Sequence, residues 1–202
     1  MTRVVFATGN RDKMREIREI FGGQGREIIS MKEAGFSGDI AENGTTFREN
    51  AEIKAKAVWN VLGGLVLADD SGFVVDCLGG EPGVYSARWM AGHPYAEKNR
   101  VLIARVDQAI AENPSLDRRA RFICNICAVL PDGRVLHTEA PYEGEVAHEP
   151  AGENGFGYDP ILWLPQFGKT SAELTEEEKN AVSHRGRALR LMRDLLAGEG
   201  VL

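Results

Sequence analysis

The stretch "LVLADDSGFVVDCLGG", residues 65–80, sets two adjacent carboxylates, Asp69 and Asp70, between two apolar runs. It decides the fold, because short strands at 65–68 and 72–76 around a polar connection predict a sheet with further elements on either side. "DDSG" has ordinary turn chemistry: Asp and Ser bond nearby backbone, and Gly accepts positive φ. The other reading is chemical. Two neighbouring negative charges repel, and a divalent cation, or a water being deprotonated, offsets the repulsion. The remainder of the chain has to decide between the two.

Upstream, the chain opens as a strand from Val4 to Ala7, a "TGN" turn, and a helix with Met14, Ile17, Ile20 and Phe21 on one face. A short strand is predicted near Glu27 to Ser30, then a polar loop over residues 31–45. Thr46 and Glu49 form a T-x-x-E capping box that starts a helix running to about Leu62. Downstream, "LGGEPGVYSARWMAGHP" leads to a helix with Leu102, Ile103, Val106 and Ile110 inward. Strands at about 120–130 and 134–139 are joined by the hairpin signal "PDG", and "YEGEVAHE" is read as a third. "GENGFGYDP" is a loop, "ILWL" a strand, and Thr175 with Glu178 a second capping box. The last helix carries Ala188, Leu191, Met192, Leu195 and Leu196 at the spacing of an apolar face. This order predicts one α/β domain over residues 1–202, with a mixed sheet that turns antiparallel in its second half.

Composition narrows the function. The formal net charge of -6 argues against a broad phosphate-binding face for duplex nucleic acid. No apolar stretch reaches membrane-spanning length, and "MTRVVFATGN" lacks a signal-peptide core, so a soluble, cytoplasmic protein is expected. "CNIC" suggests redox or zinc chemistry, but Cys124 and Cys127 lie in what reads as a buried strand. Residues three apart there point to opposite faces, which favours core packing.

Polar oddities gather at the ends of elements. Thr8, Gly9 and Asn10 lie between a strand and a helix, where backbone N–H groups and the helix dipole attract anions. Lys13 follows in or near the first helical turn, an unfavourable place for a cation unless an anion joins it. Asn50 and Lys54 stack along the edge of the arc formed by Phe47, Ala51, Ala55, Val58 and Leu62; Lys54 is either a snorkelling lysine or a cation aimed at a phosphate. Glu42, in the polar loop, is either solvated or a further carboxylate of a site. Phe156 sits between glycines that allow close approach to a flat ligand, though a turn with a buried Phe has the same pattern. Ser183 reads as an N-cap, His184 and Arg185 occupy the first turn of the last helix, and Lys179 lies one helix earlier.

Taken together, "ATGNRDKMREI", "GTTFRENAEIKAKA", "ADDSGFVVDCLGGEPGVYSAR", "GFGYDPI" and "AELTEEEKNAVSHRGRAL" resemble, in order, the motifs of the inosine triphosphate pyrophosphatase family, from Val4 to about Leu196. The resemblance implies an α/β fold with an elongated mixed sheet, flanking helices and two lobes around an active cleft, commonly as a homodimer. "GVYSARWMAG", with Tyr85 and Trp89, is the candidate interface.

It also implies Mg²⁺-dependent hydrolysis of dITP, ITP and XTP to a monophosphate and pyrophosphate. Asp70 would be proton acceptor and metal ligand, Glu42 would help hold the metal, and Asp69 would support the site at a strand end. Thr8, Gly9, Asn10, Lys13 and Lys54 would grip the triphosphate, with Ser71 beside the metal. Phe156, Gly157, Tyr158, Asp159, Lys179, Ser183, His184 and Arg185 would hold the base, with Phe156 stacking and donors near His184 and Arg185 favouring a 6-oxo purine. A nucleotide sensor without turnover, a pyrophosphatase for other modified nucleotides and a nicotinamide-dependent oxidoreductase are the alternatives. All three carboxylates are present, which disfavours the sensor, and the missing glycine fingerprint disfavours the oxidoreductase.

Overall fold

The computed structural model describes every residue except Met1 and Gln24. In chain order it runs β1 (Thr2–Phe6), α1 (Arg11–Phe21), β2 (Arg26–Ser30), α2 (Phe47–Leu62), β3 (Leu65–Val75) and α3 (Tyr95–Glu112). It continues through β4 (Arg119–Val129), β5 (Val135–Val146), β6 (Leu162–Leu164), β7 (Lys169–Thr170), α4 (Glu176–Val182) and α5 (His184–Gly198). The strands form a seven-stranded sheet in the order β2-β1-β3-β4-β5-β6-β7. β1 is parallel to β2 and β3, whereas β6 is antiparallel to β5 and β7. The sheet is therefore mixed, with the antiparallel part in the second half of the chain. Among the described residues, no helix is long and apolar enough to cross a membrane.

Two predicted boundaries are corrected. Residues 65–75 form one continuous strand instead of two strands about a "DDSG" turn, so Asp69 and Asp70 lie within a strand and not at its end. An extended backbone sends successive side chains to opposite faces, so the two charges separate without a turn. Likewise β5 runs unbroken to Val146, so Tyr142 to Val146 of "YEGEVAHE" end that strand and do not form a further one. The hairpin before it is as predicted: Gly133 takes φ +87°, and the Leu130 N–H donates to the Arg134 carbonyl at 2.9 Å.

The chain divides into two compact units, Met1–Ser71 with Cys124–Ala140 and His184–Leu202, and Gly72–Ile123 with Pro141–Ser183. In the first, Val4, Phe6, Leu65, Leu67, Cys124 and Ile126 pack against Met14, Ile17 and Phe21 of α1 and Ala188, Leu189, Met192 and Leu196 of α5. The alternate residues Val5, Ala7, Val66, Ala68, Cys127 and Val129 pack against Ala51, Ala55 and Val58 of α2. Strands covered on both faces read as unbroken apolar runs, which is why "VVFA" and "LVLA" show no alternation. Cys124 and Cys127 fall in the two different cores, and burial pushes the Cys127 thiol up to about 12.

On α5 the buried stripe differs from the predicted one. Leu191 and Leu195 are 51% and 38% exposed, while Leu189 and Arg185 are buried beside Ala188, Met192 and Leu196. In the second unit, Phe73, Val75, Tyr142, Tyr158, Ile161 and Leu162 pack with Leu102, Ile103 and Val106 of α3. Trp89 packs against this core, whereas Tyr85 is 58% exposed.

Candidate active site

The parity of β3 sorts its polar residues. Leu65 and Leu67 face α1 and α5, so Asp69 follows them to that side; Val66 and Ala68 face α2, and Asp70 goes with them. Asp69 is fully buried and meets two cations, Lys13 Nζ at 2.9 Å and Arg185 Nε at 3.3 Å. Burial alone would raise its carboxyl pKa, but Lys13, Arg185 and Lys54 outweigh burial and hold it well below the usual carboxylate range. The cations at two unfavourable helix starts thus have their anion. Arg185, itself buried, also pairs with Glu16 through Nη1 and donates to Ser71 Oγ from Nη2 at 3.1 Å.

Around α1 the Asn10 carboxamide accepts from the N–H groups of Asp12, at 2.9 Å, and Lys13, at 3.2 Å, and the Thr8 hydroxyl accepts from Asn10 N–H at 3.2 Å. Two of the first-turn donors expected to face an anion are therefore committed to the cap, and exposed Gly9 lies between Thr8 and Asn10.

Asp70 has the opposite environment. Its Oδ1 accepts from Lys54 Nζ at 3.1 Å, and the same ammonium reaches Glu42 Oε2 at 2.8 Å. Asp70 Oδ2 is buried without a hydrogen-bond partner. Burial raises the Asp70 pKa against the pull of Lys54 and Lys13. Lys54 is brought there by the capped helix, and Asn50, one turn earlier, accepts from Gly44 N–H at 2.8 Å, tying down the loop that carries Glu42. A Cβ at Gly44 would come within 2.7 Å of the Glu49 Cβ, so only glycine allows this approach.

This pair meets the chemistry of a hard cation. Mg²⁺ takes one or two carboxylates and fills its octahedron with water and phosphate oxygens. Glu42 and the unpartnered oxygen of Asp70 are suitable donors, gathered about one ammonium. Among the described residues, no group of three or more His, Cys, Asp or Glu is arranged to hold a metal. Ser71 shares the parity of Asp69, and its hydroxyl accepts from Arg185 Nη2 at 3.1 Å.

The second unit carries its own polar cluster. Buried Asp159 accepts from Lys179 Nζ at 2.7 Å, Ser171 Oγ at 2.9 Å and the Phe156 N–H at 2.8 Å. Lys179 Nζ lies 5.1 Å from the centre of the half-buried Phe156 ring. Gly155 and Gly157, at φ +73° and +70°, let the backbone turn around that ring. Tyr158 is turned into the core: its ring stacks on Phe73 at 5.4 Å and its hydroxyl donates to the Ser86 carbonyl at 2.8 Å. Ser183 ends α4, its N–H donating to the Lys179 carbonyl at 2.8 Å, and buried His184 opens α5.

Sequence reasoning missed Glu16 and Ser171. Glu16 lies on α1 between Met14 and Ile17, and a carboxylate flanked by inward-facing residues was the available signal. Ser171 gave none.

A model of the Ham1 family matches residues 4–195. The dITP/XTP pyrophosphatase of Geobacillus kaustophilus (strain HTA426) is 44% identical over 189 residues, which cover 94% of this chain and 91% of that protein. That of Escherichia coli O157:H7 is also 44% identical, over 97% of this chain and 98% of its own. A HAM1 protein structure from Coxiella burnetii matches with a TM-score of 0.88 at 38% identity, covering 98% of this chain and 100% of that one. Ordered motifs, a mixed sheet and two paired carboxylate environments on β3 thus converge with matches along nearly the full length, and the chain belongs to the Ham1 family.

Proposed function

We propose that this protein hydrolyses the deaminated purine nucleotides dITP, ITP and XTP to the monophosphate and pyrophosphate. The observation that carries the reading is Asp70: a buried carboxylate with one oxygen on Lys54, the other unpartnered, and Glu42 on the same ammonium. The names of the relatives, dITP/XTP pyrophosphatases, support it.

In this mechanism Asp70 takes the proton of a water as it attacks the α-phosphorus, a role suited to a carboxylate whose pKa burial has raised. Glu42 and Asp70 would hold Mg²⁺, which when bound neutralises phosphate charge. Lys54 and Lys13, with the Thr8–Asn10 turn, neutralise the triphosphate and stabilise charge building on the leaving pyrophosphate. Asp69 is a positioning residue, since both its cations keep it from acting as a base.

In the first unit His184 is the proposed donor to the purine O6, which adenine lacks; a donor left facing the adenine amino group loses its partner, at a cost of about 1–3 kcal/mol. Arg185, expected from the resemblance to read the base, already spends Nε, Nη1 and Nη2 on Asp69, Glu16 and Ser71, and its proposed part is to order them. In the second unit Phe156 is the proposed stacking ring, with Asp159 and Lys179 bracing its turn. A homodimer is part of the same proposal, and sedimentation of the full chain tests it.

Pyrophosphate release from dITP, ITP, XTP, dATP and dGTP, with Mg²⁺ or with EDTA, tests the reaction. Metal-dependent turnover confined to the deaminated purines supports it. Tight ITP binding without turnover makes the protein a sensor, and equal turnover of dATP removes the specificity.

A further inference from the structure

The second unit contains a buried side chain that neither the motifs nor the mechanism accounts for. Asn99, on the first half of α3, is 2% exposed. Its Nδ2 donates to the carbonyl of Gly157 at 3.1 Å, across 58 residues of chain. Its Oδ1 is buried and has no partner. An unsatisfied buried acceptor costs about 1–3 kcal/mol, so an asparagine used only for stability would be a poor choice at this position.

The bond falls in the turn that carries Phe156. Asp159 fixes the Phe156 N–H on one side, at 2.8 Å. Tyr158 is locked by Phe73, by the Ser86 carbonyl and by an edge-on contact from Tyr95, whose ring centre is 5.3 Å away. Between them stands Gly157, at φ +70°, with no side chain of its own to restrain it. Its carbonyl belongs to the Gly157–Tyr158 peptide, one peptide beyond Phe156, and Asn99 is what holds it. Lys98, the neighbour of Asn99, caps the same arrangement with its ammonium 4.8 Å from the Tyr95 ring centre and 3.4 Å from the Ala87 carbonyl.

We propose that Asn99 is a positioning residue for base recognition: by holding the Gly157 carbonyl it sets the orientation in which the Phe156 ring meets a purine. The inference rests on the proposed function, because it assumes that Phe156 stacks on the base. Ring orientation matters for stacking and not for the bond-breaking step, so losing the bond weakens nucleotide binding while leaving the chemistry alone.

The test is steady-state kinetics of Asn99→Asp with dITP across pH, beside the parent. At about pH 8 the ionised carboxylate faces the Gly157 carbonyl without a donor, and KM is expected to rise about tenfold with kcat within about twofold. At about pH 5.5 a buried, protonated carboxyl donates O–H to the same carbonyl, so the KM ratio to the parent falls back towards one. Asn99→Ser, which is smaller and uncharged, should show the raised KM without the recovery. It carries the test if the Asp variant does not fold. A KM equal to the parent's at both pH values, or a loss confined to kcat, overturns the positioning role. If the parent itself does not turn over dITP, the proposed function fails first, and this inference fails with it.

Discussion

Asp69 and Asp70 are consecutive residues of identical chemistry with opposite environments. On the α1 and α5 side, Asp69 is held between Lys13 and Arg185 and kept ionised; on the α2 side, Asp70 shares one lysine with Glu42, keeps an unpartnered oxygen and has a raised pKa. The repulsion between the two carboxylates, which adds to the rise in the Asp70 pKa, is offset by separate cations on the two sides. Each belongs to a different face, and the sheet between them makes one an anchor and leaves the other to the proposed role of reactant.

Four measurements sharpen or break this contrast. Asp70→Asn should lower kcat by about 10³-fold while thermal unfolding stays close to the parent's, since a general base is lost but a desolvated charge is removed with it. A fall in stability as large as the fall in rate would erase the distinction. Asp69→Asn is the converse. It takes the buried anion from Lys13 and leaves Arg185 with Glu16 alone, and urea unfolding should show a loss of about 2–3 kcal/mol.

Lys54→Met keeps the stem but leaves Glu42 and Asp70 facing each other, and pyrophosphate release should fall about 10²-fold at saturating substrate. The smallest effect belongs to an exposed carboxylate paired with Arg18. Glu33 is lowered from 4.5 to about 2 by the Ser30 backbone and hydroxyl and by Arg18. A depressed folded pKa adds stability that is fully present above about pH 4.5 and is lost as pH falls towards about 2. Glu33→Gln should then cost under about 1 kcal/mol at neutral pH, given its exposure, with the difference from the parent vanishing in acid.

Local signals were legible in the sequence. Both helix-opening capping boxes, at Thr46 with Glu49 and Thr175 with Glu178, are present, because a cap is decided within four residues. The opposite faces of Cys124 and Cys127 follow from a period of two. What depends on distant packing was not legible. "DDSG" has turn composition, yet it lies inside the continuous strand Leu65–Val75. On α5, the predicted stripe lay beside the true one because Arg185 occupies a buried position that pattern reasoning reserves for apolar residues. Glu16 and Asn99 resemble any helical polar residue until the partner strands and loops are in place.

The alternation along β3 carries one further consequence. Which carboxylate takes the proposed reactive role is a matter of phase and not of identity, since both are aspartates. A single residue inserted between Leu67 and Asp69 would exchange their faces, bringing the first aspartate to the position that faces Lys54 and the second to the anchor's face, two positions beyond the anchor. A two-residue insertion would restore the phase but displace both along the sheet by about 7 Å. Length variation should accordingly be excluded from this strand even where substitution is tolerated, a rule of reading frame written into the backbone itself.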